Sequence, residues 1–233
     1  MSLDLSNRVF AVTGASGNLG RAVAEALAKA GAMLTLLDRS PVADHWAGSE
    51  RTLAAGNLDL TNPGAIAAVL DEAVARFGRI DGLVAAVGAY NGGTPVHAQS
   101  WADWDVMLSA NLQTAVVACQ AVVPRLLDRG GRILTVGARG GVVGGAGMAA
   151  YAASKAGVMR LTESLSEELK DRGVTVNCVM PSIMDTPQNR AAMPKADASQ
   201  WVPPEDVAGV ILFLLSDAAR SVTGTLIPIY GRA

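Results

Sequence analysis

The sequence predicts a single α/β domain over residues 1–233, built on a parallel sheet of about seven strands wound on both faces by helices. Three observations predict it. Apolar runs of strand length alternate with helical patterns along the whole chain. A glycine-rich turn follows the first apolar run directly. The composition is 50% hydrophobic with 25 Gly and only 4% aromatic residues, which suits buried strands under closely packed helices.

In chain order, Arg8–Thr13, Met33–Asp38, Thr52–Asn57, Gly82–Val87, Arg132–Gly137, Thr175–Met180 and Thr225–Ile229 read as strands. Between them Leu19–Ala30, Ala65–Phe77, Trp101–Arg129, Ala149–Asp171 and the shorter Asp206–Leu215 read as helices. Gly31, Gly78, Gly130 and Gly173 each stand where a helix ends before a strand, as C-terminal caps. One connection is short. Residues Arg39–Arg51 leave little room for a full crossover helix between the second and third strands. No repeat or Pro/Ser-rich linker divides the chain.

Bulk properties exclude several function classes. A net charge of −2 offers no basic field for nucleic acid or an acidic membrane surface. The longest uninterrupted apolar stretch, around Val207–Leu215, is too short to span a bilayer, and no secretory signal is evident. Cys119 and Cys178 are isolated and read as buried small hydrophobes, which points to a reducing cytoplasm. With only two histidines, His45 and His97, far apart and read as surface residues, no metal site is expected.

The first strand runs into Thr13-Gly14-Ala15-Ser16-Gly17-Asn18-Leu19-Gly20 and then a helix. One glycine turns the chain, one lets backbone approach a pyrophosphate, and one packs helix on strand. The helix start then offers unpaired N–H groups to phosphate. Asp38 ends the second strand, 18 residues beyond Gly20, where a carboxylate accepts ribose hydroxyls and repels a 2′-phosphate. Arg39 beside it suits a 2′-phosphate instead, but no basic residue in the turn assists it. The pattern predicts NAD, with NADH preferred and NADP an open alternative.

Tyr151 and Lys155 are four apart on a predicted helix and share one face. A nearby ammonium is expected to lower the phenol's pKa and let it exchange a proton while hydride moves at a nicotinamide. The glycine turn, Asp59-Leu60, Asn111, the Arg132–Gly137 strand, Tyr151-Ala-Ala-Ser-Lys155 and Val176–Pro181 follow one another as in short-chain dehydrogenases/reductases. The chain resembles that family over essentially its whole length. The resemblance implies a Rossmann-type fold and makes Tyr151 the proton donor or acceptor. It gives Lys155 the nicotinamide ribose and Asn111 a relay water. It places Asp59 at the adenine, Leu60, Ala86, Val87, Gly88 and Pro181 along the cofactor, and Ile183 and Thr186 at the carboxamide.

Departures from the family pattern carry information. The residue 13 before Tyr151, a catalytic serine in the family, is Ala138. Ala138-Arg139, the loop Ala86–Gly93 and the string from Asp185 through Asn189, Arg190 and Asp197 to Trp201 resemble dihydropteridine reductases. That resemblance implies NADH and a quinonoid dihydropterin-like heterocycle, with Asp185–Trp201 as a flap and Asn189 or Arg190 near the substrate. A reductase of carbonyl or 3-oxoacyl substrates is the alternative, as is a dinucleotide-binding regulator weakened by Ala138. Trp201 reads as a packing anchor for the flap, and Arg139 as facing either cleft or solvent. Surplus apolar faces on Trp101–Arg129 and Ala149–Asp171 point to a homodimer or homotetramer.

Overall fold

The computed structural model describes residues 3–46 and 48–232. Among them, seven strands form one parallel sheet: β1 (Val9–Thr13), β2 (Met33–Leu37), β3 (Thr52–Ala55), β4 (Gly82–Ala85), β5 (Gly131–Val136), β6 (Val174–Pro181) and β7 (Leu226–Ile229). Their spatial order is β3-β2-β1-β4-β5-β6-β7. The chain therefore winds outward from β1 to β3, then restarts at β4 on the other side of β1. Strand order reverses at that point, and the carboxyl ends there leave a crevice.

Helices cover both faces. α1 (Asn18–Lys29) packs on α8 (Pro204–Leu215) over a core of Phe10, Val12, Leu34, Leu36, Val84 and Leu134. On the opposite face, α2 (Pro63–Phe77), α4 (Thr114–Leu126) and α6 (Ala149–Leu169) bury Val9, Ala11, Leu83, Ile133 and Val176. Alternate residues of each strand thus face two separate cores, as strand geometry requires. Asn62 caps α2 by accepting from Gly64 N and Ala65 N, which starts that helix two residues before the predicted Ala65. Four predicted glycine caps, at 31, 78, 130 and 173, have left-handed φ between +67° and +83°.

Two expectations shift. Strand ends peel away one or two residues earlier than predicted at Asp38, Asn57 and Val87, where the chain turns toward the crevice. The predicted single helix Trp101–Arg129 is three consecutive segments: α3 (Trp101–Met107), a π-turn over Leu108–Gln113 and α4. An apolar pattern does not reveal a one-residue widening of the ladder, which is why the sequence read through it. By length and composition alone the run Trp101–Leu126 passes for a membrane span, and half of it is buried in the fold. The short connection after β2 holds a single 3-10 turn, Asp44–Trp46, among the described residues. α5 (Arg139–Val142) and α7 (Pro187–Ala192) complete the helices.

Register sets up the site. Thr13 of β1 pairs with Leu37 of β2 and with Ala85 of β4, so these three strands end level. Gly14 N then donates to Leu37 O at 2.9 Å, and Ala86 N to Thr13 O at 3.2 Å. The glycine turn is packed without slack. A Cβ on Gly20 would stand 2.0 Å from Gly14 O, whereas one on Gly209 of α8 meets nothing within 4 Å. Gly20→Ala should therefore cost about 2 kcal/mol and lower the melting temperature by about 4–8 °C. Gly209→Ala should hold or raise it, since an exposed helical glycine is about 0.5–1 kcal/mol worse than alanine. Calorimetry of the two variants checks this, and equal melting temperatures would refute the close packing at the turn.

Candidate active site

One cleft of about 1760 Å³ runs along the carboxyl ends of the strands. That is larger than the roughly 300–1000 Å³ of a single-ligand pocket, and matches a long ligand with a second one beside it. The glycine turn forms one end. Gly17 starts α1 with no side-chain cap, which leaves the first-turn N–H groups facing the cleft. Every residue predicted to bind cofactor, from Gly14, Ser16, Gly17, Asn18, Leu19 and Gly20 through Asp38, Arg39, Asp59 and Leu60, lines it. So do Ala86, Val87, Gly88, Tyr151, Lys155, Pro181, Ile183 and Thr186.

Asp38 is buried, and its two carboxylate oxygens accept from Ser16 N and Ser40 N, both at 2.8 Å. It therefore pins the glycine turn to the end of β2 while remaining on the cleft wall. Arg39 is exposed beside it. Asp59 accepts from Thr61 N and Oγ1, which holds its carboxyl below the usual carboxylate range.

At the far end, α6 presents Tyr151 and Lys155 one helical turn apart. Lys155 is buried, and its Nζ donates to Val136 O at 2.8 Å, at the end of β5. A Cβ on Gly88 would come within 3.0 Å of that Nζ and 3.3 Å of Asn111 Oδ1, so glycine keeps this space open. Asn111, in the π-turn, lies behind the cleft wall, buried. Its Oδ1 accepts from Ala89 N at 2.8 Å, and its Nδ2 donates to Ala89 O at 3.0 Å and Ser154 Oγ at 2.9 Å. The structure brings Asn111 close to Lys155, but it ties loop to helix rather than facing the cleft.

One sequence expectation is corrected here. Lys155 does not lower the tyrosine's pKa in the cofactor-free protein. Burial pushes Tyr151 up to about 12, with the neighbouring Tyr90 adding to the shift, and draws Lys155 down to about 8. Both groups move toward their neutral forms, because removing water penalises charge.

The segment after β6 covers the cleft. Thr186 is buried and caps α7 by accepting from Asn189 N, and Arg190 makes a paired salt bridge to Asp185 at 2.6 and 2.7 Å. Asn189 bonds Met184 O, and Arg190 does not line the cleft, whereas Asn189 does. Gln188 Oε1 accepts from Asn18 Nδ2 at 2.8 Å, strapping the flap to the glycine turn. Trp201 is buried beside that stem and outside the cleft, as expected of an anchor. Ala138 and Arg139 both line the cleft, and Arg139 lies over the Tyr230 ring at 5.4 Å. Sequence reasoning missed Tyr90, which lines the cleft and packs edge-on against Tyr151 with ring centroids 4.9 Å apart. Its position in a glycine-bordered loop, Ala89-Tyr90-Asn91-Gly92-Gly93, was the available signal.

A family model described as enoyl-(acyl carrier protein) reductase matches residues 14–231. The chain is 32% identical to the (2S)-[(R)-hydroxy(phenyl)methyl]succinyl-CoA dehydrogenase subunit BbsD of Thauera aromatica, over 98% of this chain and 97% of that protein. It is 30% identical to the 3-oxoacyl-[acyl-carrier-protein] reductase FabG of Escherichia coli, over 98% of both chains. The chain belongs to the short-chain dehydrogenase/reductase family. A structure from Burkholderia xenovorans assigned to this family superimposes with a TM-score of 0.88 at 32% identity, covering 97% and 96% of the two chains. A 3-ketoacyl-(acyl-carrier-protein) reductase of Brucella melitensis, solved with NADH, shares the fold with a TM-score of 0.88 at 24% identity over 98% of each chain.

Lys155 gives this family member a measurable electrostatic signature. Its folded pKa of about 8 lies below the unfolded value near 10.4. The unfolded state thus binds more protons between those limits, so this group's contribution to stability rises with pH across them. The stability difference between Lys155→Met and the natural protein should be largest below pH 8 and shrink toward pH 10. Urea unfolding at pH 7, 8, 9 and 10, without cofactor, measures it. A difference independent of pH would mean that Lys155 is not desolvated.

Proposed function

We propose that this chain is an NADH-dependent reductase of a small organic carbonyl compound, with Tyr151 as the proton donor. The observation that carries the reading is the placing of the Tyr151/Lys155 pair in the same cleft as an uncapped helix start and its glycine turn. The residues present fit a nicotinamide dinucleotide. The backbone of Gly14–Gly20 would cradle the pyrophosphate, since even a methyl at position 20 collides with Gly14 O. Asp38 would take the ribose, Asp59 and Leu60 the adenine, and Ala86–Gly88, Pro181, Ile183 and Thr186 the nicotinamide half.

When bound, the cofactor supplies hydride to the substrate carbon. Tyr151 does the acid work. With its pKa pushed up to about 12, the phenol is fully protonated at neutral pH and is a donor to the substrate oxygen as negative charge develops there. Lys155, cationic below about pH 8, would hold the nicotinamide ribose one helical turn from the phenol. Asn111 serves as a positioning residue that fixes the loop carrying Gly88 to α6, with a relay water its further role.

Support for the carbonyl class comes from the relatives, whose names describe 3-oxoacyl reduction and dehydrogenation of a hydroxyl-bearing acyl thioester. A second reading is favoured by Ala138 and by the string from Asp185 to Trp201, which forms the flap: the substrate is an electron-poor heterocycle such as a quinonoid dihydropterin. We further propose a cytoplasmic homodimer or homotetramer.

Two experiments test the function. NADH should bind at least tenfold tighter than NADPH, and Asp38→Ala should narrow that gap; equal affinities by fluorescence titration would overturn the cofactor assignment. Tyr151→Phe should lose at least a hundredfold in turnover with NADH affinity within twofold. Substrates to compare are an acetoacetyl thioester and quinonoid dihydropterin, in the natural and Ala138→Ser proteins. Preference for the thioester decides against the pterin. Full activity in Tyr151→Phe ends the mechanism, and no turnover of either substrate leaves the regulator reading.

A further inference from the structure

The substrate end of the cleft is lined by Ala138, Gly140 and Gly145, all without bulk, and by Tyr90, Val143 and Met148. A Cβ on Gly140 would already meet Met148 at 3.1 Å and the Tyr151 ring at 3.2 Å. Of the eight large hydrophobic side chains exposed among the described residues, Tyr90, Val106, Val143 and Ile183 line this one cleft. Tyr90 is 63% exposed although it packs nearly perpendicular to the Tyr151 ring. An aromatic ring held in place yet left open to solvent at a reaction centre is a surface made for a ligand.

Tyr90 is also held from behind. A Cβ on Gly92 would lie 2.4 Å from the Tyr90 hydroxyl, so glycine there lets the ring tip sit against the backbone. Gly93 N donates to Gly147 O at 3.0 Å, joining this loop to the one that carries Met148. The charged side chains lining this end are Asp105, Arg139 and Lys155, the last buried and bonded to Val136 O.

We propose that Tyr90 is the specificity-determining residue of this site, stacking on a flat ring carried by the substrate next to the reacting carbonyl. This rests on the reductase reading above and narrows its substrate to compounds with a planar conjugated group. The small residues at this end leave room for a ring, and the exposed Tyr90 ring supplies the contact. Base- or ring-stacking on an aromatic side chain is worth about 1–3 kcal/mol, or about ten- to a hundredfold in affinity.

The test compares 1-phenyl-1,2-propanedione with 2,3-hexanedione, which share a dicarbonyl and differ in the ring. Steady-state kinetics with NADH on the natural, Tyr90→Phe and Tyr90→Ala proteins gives KM and kcat separately. Saturation-transfer NMR on the NAD⁺-loaded proteins reports ring binding without turnover. Tyr90→Ala should raise KM for the phenyl compound at least tenfold more than KM for hexanedione, and abolish the ring signal. Tyr90→Phe should stay within threefold of the natural protein throughout. Equal effects of Tyr90→Ala on both diones, or none on the phenyl compound, overturn the proposal, as does Tyr90→Phe failing like Tyr90→Ala. A Tyr90-dependent ring signal without reduction of either dione upholds the stacking role and removes the reductase reading instead.

Discussion

The side-chain amide of Asn111 is the joint on which the chemical end of the molecule depends. It is 1% exposed, so its oxygen and amide hydrogens must be satisfied within the fold. Each left unpaired would cost about 1–3 kcal/mol. One group answers for both ends of the amide: Ala89 gives its N–H and takes a hydrogen back through its carbonyl. Ser154 takes the remaining hydrogen and passes its own to Tyr151 O, inside α6. The loop after β4 and the helix bearing Tyr151 and Lys155 are thereby fixed to one buried side chain. The π-turn over Leu108–Gln113 belongs to the same arrangement. A widened turn gives up regular helix bonding, and it persists where other interactions hold it. Ala89 also precedes Tyr90, so the substrate wall inherits the same anchor.

Burial then decides protonation. Tyr151 and Lys155 share one wall of the cleft, yet neither is charged for the other's sake. Desolvation is the first cause of both shifts, upward for the phenol and downward for the ammonium. Lys155 Nζ donates its hydrogen bond to Val136 O, a neutral dipole at the end of β5. A tyrosine kept protonated suits delivery of a proton to an oxygen that is gaining charge.

Much of this was legible in the sequence, for identifiable reasons. Parallel strands buried on both faces are short apolar runs, and every predicted strand is present. The glycine turn was readable because its spacing is forced by contacts within eight residues, such as that between Gly20 and Gly14 O. The Tyr151/Lys155 pair was readable because a helix brings residues four apart together. What stayed hidden depends on long-range partners. Asn18 meets Gln188 across 170 residues, and no local pattern predicts that strap. Asn111 was marked by family resemblance, but its partners Ala89 and Ser154 emerge only in three dimensions. Tyr90 sits in a loop without periodicity, where side-chain direction is set by what the loop packs on. The ammonium's expected hold on the phenol failed because sequence shows which groups are neighbours and not how dry they are.

Ala138 ties these threads together. It is buried on the cleft wall in extended backbone at the start of α5, where the family resemblance places a catalytic serine. A methyl there donates nothing, and the loss of one such donor costs about 3 kcal/mol of transition-state stabilisation, or two orders of magnitude in rate. Tyr151 must then carry the developing charge alone, unless the substrate spreads it. A carbonyl conjugated to a flat ring, or a ring that is itself the electron acceptor, does spread it. On the proposed stacking role, such a substrate would lie beside Ala138 and Tyr90, and charge delocalised in it would stand in for a hydrogen bond from the protein.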